Sequence, residues 1–128
     1  MGAEPAWALL ALTLPRADEG WLADFARGFS DLACRHGVAL VGGDTCRGPL
    51  VVSVTALGQA PTGQALRRAG AKPGDGVYVS GELGAAGLAV RARRSQITLP
   101  AALAQHAAQR LDWAEPRLGL GVALRGLP

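Results

Sequence analysis

Residues 38–58, VALVGGDTCRGPLVVSVTALG, place a Gly-Gly-Asp sequence between two runs that favour β-strands. Both runs, VALV and LVVSVTALG, are rich in β-branched residues, which fit the pleated surface of a sheet. Two explanations fit the intervening Gly42, Gly43 and Asp44. One is a tight turn, in which glycine supplies the backbone angles and aspartate caps the loop. The other is a phosphate and metal site, in which bare backbone approaches a nucleotide and Asp44 holds the cation.

The residues before this stretch predict a strand followed by a helix. The run WALLALTL at 7–14 is continuously apolar and ends at Pro15, which indicates a strand buried on both faces or at an interface. Asp18 is placed to cap the next helix, and Gly37 is placed to end it. The helix is predicted over 20–36 from apolar residues at helical spacing: Leu22, Phe25, Phe29, Leu32 and Ala33.

The residues after this stretch predict turns and helices. AKPGDG at 71–76 is a turn cluster that separates the first part of the chain from VYVSG at 77–81. We expect an α/β fold class with a domain boundary near this cluster. Strands are predicted at about 7–14, 38–42 and 50–58, and further helices over ELGAAGLAVRARR (82–94), 99–112 and 117–126.

Length and hydrophobicity predict a globular protein without a membrane segment. The 128 residues fit one domain, or one small domain plus part of another. Hydrophobic residues make up 49%, but no apolar run approaches the roughly 20 residues that a membrane helix needs. The start, MGAEPAWALLALTLP, lacks a basic segment and carries Glu4, so it predicts a strand rather than a signal peptide.

Charge and cysteine content predict a cytoplasmic protein that does not bind nucleic acid. The net charge is +3, but the basic residues are scattered and only 5% of the residues are aromatic. Cys34 and Cys46 lack the CxxC spacing of a zinc or redox site, so we expect a reducing compartment.

Four segments resemble, in this order and at these spacings, the thiamine-monophosphate kinase family. The likeness covers essentially the whole chain. Within it, GGDT-x-RGP and R-x-GAKPGD-x-(I/V)-YV-x-G are specific in combination, far more so than a lone glycine-rich loop. The four segments are MGAEPAWALLALTLP, GVALVGGDTCRGPLVVSVTALG, ALRRAGAKPGDGVYVSGELGAAGLAV and EPRLGLGVALR.

The resemblance implies a fold similar to that of aminoimidazole ribonucleotide synthetase, and a magnesium-dependent kinase. Members transfer the terminal phosphoryl group of ATP to thiamine monophosphate and form thiamine diphosphate. Residues 1–69 would be the back half of the N-terminal ATP-binding domain, and residues 70–128 the start of the C-terminal α/β domain. A homodimer joined through the sheet is also implied.

The resemblance assigns roles to three residues and favours the nucleotide interpretation of Gly-Gly-Asp. It implies that Gly43 and Asp44 contact the nucleotide and that Asp44 ligates magnesium. It implies that Arg68, which taken alone would be a surface charge, contacts ATP. Arg47 and Pro49 are interpreted as loop geometry. The remaining departures are Cys46, where the family commonly has threonine, and GELGAAGL, which lacks an Asp-Ser pair of the family's G-x-LGDSAAGL.

Further acidic motifs of the family lie outside this chain. The family carries GDD and SDLAAMGA segments upstream and a D-x-SDGL segment downstream, which supply more metal-binding aspartates. With Asp44 as the single expected carboxylate, two hypotheses stay open. The chain is a piece of a working kinase that is inactive by itself, or it is a non-catalytic remnant that self-associates through its strands.

Overall fold

A computed structural model describes residues 1–125 of the chain. They divide into two compact units: residues 1–68 together with the last helix, and residues 69–117. The domain division predicted from the sequence, 1–69 and 70–128, stays a prediction. The elements in chain order are β1 (Glu4–Leu14), α1 (Glu19–Arg35), β2 (Ala39–Arg47), β3 (Val51–Gln59), α2 (Ala85–Arg93), α3 (Ala101–Asp112) and α4 (Leu118–Ala123).

The first unit is built on a mixed three-stranded sheet in the order β2-β1-β3. β1 pairs with β2 in parallel and with β3 in antiparallel. Because parallel strands cannot be joined by a short hairpin, α1 forms the connection between β1 and β2. The loop from β2 to β3 passes over the end of β1, where the Gly48 N–H donates to the Leu14 carbonyl at 2.9 Å. The predicted α/β fold class is confirmed.

The helix α1 begins and ends where the sequence predicted. The Asp18 carboxylate accepts a hydrogen bond from the backbone N–H of Trp21 at 3.1 Å, which satisfies one unpaired donor of the first turn. Past the other end, Gly37 adopts a φ of +65°. Along the helix, the rings of Trp21, Phe25 and Phe29 stack with centroid distances of 5.2 and 6.3 Å.

The Gly-Gly-Asp sequence lies inside a strand, so the prediction that it forms a turn is wrong. β2 continues to Arg47, and Gly43 and Asp44 pair with Leu10 and Ala11 of β1. Val41 is the extra residue of a β-bulge, because Ala8 pairs with Leu40 while Leu9 pairs with Gly42. The chain turns only at residues 48–50.

The close pairing of β1 and β2 explains why position 43 is a glycine. Gly43 has a φ of +148°, a region that residues with a side chain rarely adopt. A Cβ at this position would lie 1.8 Å from the Leu10 carbonyl oxygen. The pairing of β1 with β2 therefore requires a residue without a side chain at position 43.

Within residues 1–125, the two faces of the central strand β1 differ in burial, whereas β2 and β3 are exposed along their whole length. In β1, Ala8, Leu12 and Leu14 are buried, whereas Trp7 and Leu9 remain 40% and 39% exposed. Of the two predicted alternatives for β1, burial on both faces is not met within residues 1–125, and a position at an interface stays a prediction. Residues opposite one another in a sheet share a face. We define the open face as Trp7, Leu9 and Ala11 of β1, the opposite Leu57, Thr55 and Ser53 of β3, and Gly42, Asp44 and Cys46 of β2.

The second unit, as far as the structure describes it, consists of turns and the two helices α2 and α3. The predicted turn cluster is present, since the Asp75 carboxylate accepts from the Lys72 N–H at 2.8 Å. VYVSG forms no strand here. Ala89 of α2 and Ala107 of α3 are buried.

The downstream helices are shorter than the sequence predicted. α2 begins at Ala85 rather than at Glu82, because Gly84 adopts a left-handed conformation with a φ of +96°. α4 ends at Ala123, and residue 126 of the predicted helix lies outside the described residues. None of the helices within residues 1–125 has the length and apolar character needed to cross a membrane.

Candidate functional site

A groove of about 530 Å³ runs along β2 and is lined by Leu10 and residues 40–45. Gly42 and Gly43 leave part of its wall without side chains, so backbone is accessible there. Asp44 lies in the same groove with an exposed side chain. Gly43 and Asp44 therefore both line this groove, on a strand rather than in a turn.

The Asp44 carboxylate is held locally and keeps free acceptor capacity. One oxygen, Oδ1, accepts from the Thr45 N–H at 2.8 Å, and the other, Oδ2, accepts from the Cys46 thiol at 3.6 Å. A carboxylate offers about four acceptor positions. No lysine, arginine or histidine side chain within residues 1–125 pairs with it. A cation can therefore approach it without displacing an existing ion pair.

The donor set at Asp44 suits a Mg²⁺ ion that also binds phosphate. Mg²⁺ prefers oxygen ligands and is usually held by one or two carboxylates, with water and substrate phosphates completing its coordination. No cluster of three or more His, Cys, Asp or Glu residues able to hold a metal occurs in the described part of the chain. Asp44 can therefore supply one ligand of a metal site that needs further donors.

A second groove of about 530 Å³ lies at the carboxyl ends of the parallel strands β1 and β2. In α/β sheets this edge is where ligands commonly bind. Sequence reasoning missed this groove and interpreted Arg47 as loop geometry, whereas Arg47 is the last residue of β2. The strand-helix-strand order of β1, α1 and β2 was the signal that could have located it. Its lining residues are Leu14, Pro15, Arg16, Ala17, Leu22, Thr45, Cys46 and Arg47.

Arg68 lies far from Asp44 within one chain. Arg68 is exposed and lies two residues after Leu66, whose N–H donates to the Met1 carbonyl at 3.0 Å. Asp44 is opposite Ala11, towards the other end of β1. The strand from Glu4 to Ala11 alone spans roughly 23 Å at about 3.3 Å per residue. The structure therefore does not bring these two predicted site residues together in a single copy.

Comparison with known proteins gives consistent matches. Residues 1–60 match the family model described as AIR synthase related protein, N-terminal domain. The thiamine-monophosphate kinase of Escherichia coli K12 is 47% identical over 129 residues, which cover 99% of this chain and 39% of the relative. The crystal structure of thiamine-monophosphate kinase from Stenotrophomonas maltophilia K279a superposes with a TM-score of 0.84 at 49% identity, covering 98% of this chain and 41% of that one.

The chain is homologous to part of thiamine-monophosphate kinase. The family predicted from the sequence is thereby confirmed, and the chain spans about two fifths of the length of the thiamine-monophosphate kinases that it matches. A further structure, described as AaThiL complexed with AMPPCP and TMP, superposes with a TM-score of 0.84 at 24% identity, covering 98% of this chain and 40% of that one. That likeness shows a shared fold.

Proposed function

We propose that this chain is the part of a thiamine-monophosphate kinase that holds the phosphates of ATP and a magnesium ion. The reaction transfers the terminal phosphoryl group of ATP to thiamine monophosphate and forms thiamine diphosphate. The observation that carries this proposal is the 47% identity to the Escherichia coli enzyme over 99% of the chain. The related structure with AMPPCP, an analogue of ATP, supports ATP as the phosphoryl donor.

Gly43 and Asp44 are the residues of this chain assigned to the nucleotide. Mg²⁺ would neutralise the phosphate oxygens, since phosphoryl transfer depends mainly on positioning and on stabilising charge. The Asp44 carboxylate would bind this ion, and the Thr45 N–H would keep the carboxylate oriented. The backbone at Gly42 and Gly43 offers a surface without side chains along which phosphate can lie.

Arg68 would reach the nucleotide through a second copy of the chain. A homodimer is supported by the open face, where large apolar side chains such as Trp7 and Leu57 remain exposed. A two-fold axis perpendicular to the strands reverses their direction, so it brings opposite ends of β1 from the two copies together. Arg68 of one copy would then approach Asp44 of the other.

These 128 residues alone would not catalyse the reaction. Asp44 is the only carboxylate that lines the groove along β2, and one carboxylate cannot assemble the metal site of phosphoryl transfer.

We place the protein in the cytoplasm, a proposal supported by its two cysteines, Cys34 and Cys46, which are exposed and free.

A chimaera tests the proposed function. This chain would replace the matching segment of the Escherichia coli enzyme. The folded chimaera should form thiamine diphosphate from ATP and thiamine monophosphate. In the chimaera, Asp44→Asn should lower the turnover number about 100-fold or more, because the lost charge acts on the transition state, and added Mg²⁺ should restore part of it.

The matched control for Asp44→Asn is Asp24→Asn, which removes an exposed carboxylate on α1 that contacts only Arg27. It should leave turnover unchanged. A folded chimaera without activity, confirmed by circular dichroism, would contradict the proposed function. Full turnover in Asp44→Asn with a sharply lowered melting temperature would make Asp44 a structural residue.

A further inference from the structure

The second unit contains a small cavity of about 220 Å³ where α2 begins and α3 ends. Its lining includes two arginines, Arg110 and Arg117, and the indole of Trp113, which is 75% exposed. Pockets for drug-sized ligands measure about 300–1,000 Å³. This cavity therefore has room for a small ion or group rather than for a whole nucleotide.

The two guanidinium groups converge on one point of the backbone. A Cβ built on Gly81 would lie 2.6 Å from Nη2 of Arg117 and 3.3 Å from Nη2 of Arg110. Two groups that carry permanent positive charge are thus side by side. An anion bound between the two groups would offset their mutual repulsion.

Neither arginine has a carboxylate partner within salt-bridge distance among residues 1–125. The neighbouring Arg93, by contrast, is paired with Asp112. Both guanidinium groups therefore keep their N–H donors for a ligand.

Two carboxylates line the same cavity, those of Glu82 and Glu115. Glu82 is held by His106, whose Nε2 lies 2.9 Å from its Oε2. The pKa of Glu82 is lowered, first by this hydrogen bond and by the charge of His106, and less by Arg110. Because Glu82 already has a partner, Glu115 is the lining carboxylate that opposes a bound anion.

We propose that Arg110 and Arg117 form a binding site for a phosphate group, either as free inorganic phosphate or as the phosphate of a small ester. Guanidinium groups bind phosphate oxygens through paired, charge-assisted hydrogen bonds. Trp113 lies beside this site and reports on it. The site lies in the second unit, and this proposal is independent of the proposed role of Asp44.

Nuclear magnetic resonance of the three tryptophan indole N–H groups tests the site in the intact chain. Inorganic phosphate should shift the Trp113 signal, assigned with Trp113→Phe, in a saturable manner. The signals of Trp7 and Trp21 are internal controls and should not follow the same curve. Sodium chloride at equal ionic strength should give no saturable shift. A phosphate monoester such as glycerol phosphate distinguishes the two sources: tighter binding than inorganic phosphate identifies an ester ligand, and weaker binding identifies the free ion.

For three substitutions we predict whether phosphate binding weakens or tightens. Arg110→Gln and Arg117→Gln should each weaken phosphate binding roughly tenfold or more. Glu115→Gln should tighten it, because the opposing charge is removed. Arg91→Gln is the matched control on α2, since it removes one positive charge outside the cavity.

Arg117→Lys keeps the positive charge but loses the planar fork, so it should bind with intermediate affinity. It serves as the second variant if Arg117→Gln disturbs the helices, which circular dichroism would reveal. The proposal is overturned if phosphate shifts Trp113 no more than chloride does. It is also overturned if all the arginine variants, Arg91→Gln included, respond to phosphate alike.

Discussion

At Gly43 the backbone of β2 has a φ of +148° and passes close against Leu10 of β1. Any side chain at position 43 would meet the Leu10 carbonyl oxygen, so the strand pairing itself depends on this glycine. Asp44, the next residue, can therefore present its carboxylate at a fixed position of a rigid element. A ligand held by a strand is placed more precisely than one held by a mobile turn.

Gly43→Ala should destabilise the first unit by about 2–4 kcal/mol, because the new Cβ forces the strands apart and the φ is strained. Urea denaturation followed by tryptophan fluorescence measures the change. The control is Gly28→Ala on α1, where no atom lies within 4 Å of the added Cβ. Removing a helical glycine should instead stabilise the protein by roughly 0.5–1 kcal/mol. Equal effects of the two substitutions would contradict this account of Gly43.

The sequence predicted Gly43 and Asp44 as site residues but placed them in a turn, whereas they lie on a strand. Glycine and aspartate have low strand propensity, so Gly-Gly-Asp indicated a turn. Pairing with β1 over the whole length of β2 overrides that local preference, and the bulge at Val41 sets the register. The separation of Arg68 from Asp44 could not be predicted from the sequence either, because it depends on which end of β1 each segment reaches.

At the scale of elements, local signals were sufficient where they acted within one helix. Asp18 caps α1 and Gly37 follows its end, as predicted from residue types alone. The start of α2 was predicted three residues too early, because Gly84 takes a left-handed conformation that a pattern of apolar residues does not reveal. The α2–α3 pair is then joined by an ion pair between Arg93 and Asp112.

This ion pair predicts an acid-sensitive contact between α2 and α3. The hydrogen bond from Arg93 lowers the pKa of Asp112 in the folded protein. The contribution of Asp112 to stability is therefore present above the unfolded carboxyl pKa of about 3.9 and is lost as the pH falls through the lower, folded value. Asp112→Asn should lower the melting temperature, measured by helical circular dichroism, at pH 7, and the difference from wild type should vanish in strong acid.

Asp31→Asn is the control for the acid titration. Asp31 is an exposed carboxylate on α1 without an ion-pair partner among the described residues. Its substitution should leave the melting temperature close to that of wild type at each pH. If Asp112→Asn also follows the wild-type melting temperature at pH 7, the ion pair does not stabilise the helix pair.

At the scale of the whole molecule, the open face links assembly to the site. Trp7, Leu9 and Leu57 expose apolar surface on the same face as Asp44 and Cys46. Exposed apolar patches of this kind are typical of interaction surfaces. A dimer that covers this face would bury these apolar side chains and would bring Arg68 of one copy towards Asp44 of the other.

Mixing two inactive variants tests this arrangement. In the active chimaera, Asp44→Asn and Arg68→Gln should each abolish most activity, and light scattering should give the mass of a dimer. Mixed dimers contain one site with both residues intact if the two residues come from different copies, so mixing should restore activity. The Asp44→Asn variant alone, taken through the same mixing procedure, should recover no activity. A strictly monomeric mass, or no recovery on subunit exchange, would contradict the arrangement.

The most direct test of the Asp44 site is the rate at which iodoacetamide alkylates Cys34 and Cys46 in the active chimaera, measured by mass spectrometry with and without ATP and Mg²⁺. Cys46 donates to the Asp44 carboxylate, whereas Cys34 is exposed on α1 and serves as an internal control. Bound nucleotide should slow the alkylation of Cys46 alone, and Asp44→Asn should remove this protection. Equal rates at Cys46 with and without nucleotide, or protection that survives Asp44→Asn, would contradict the assignment of Asp44 to the nucleotide and its metal.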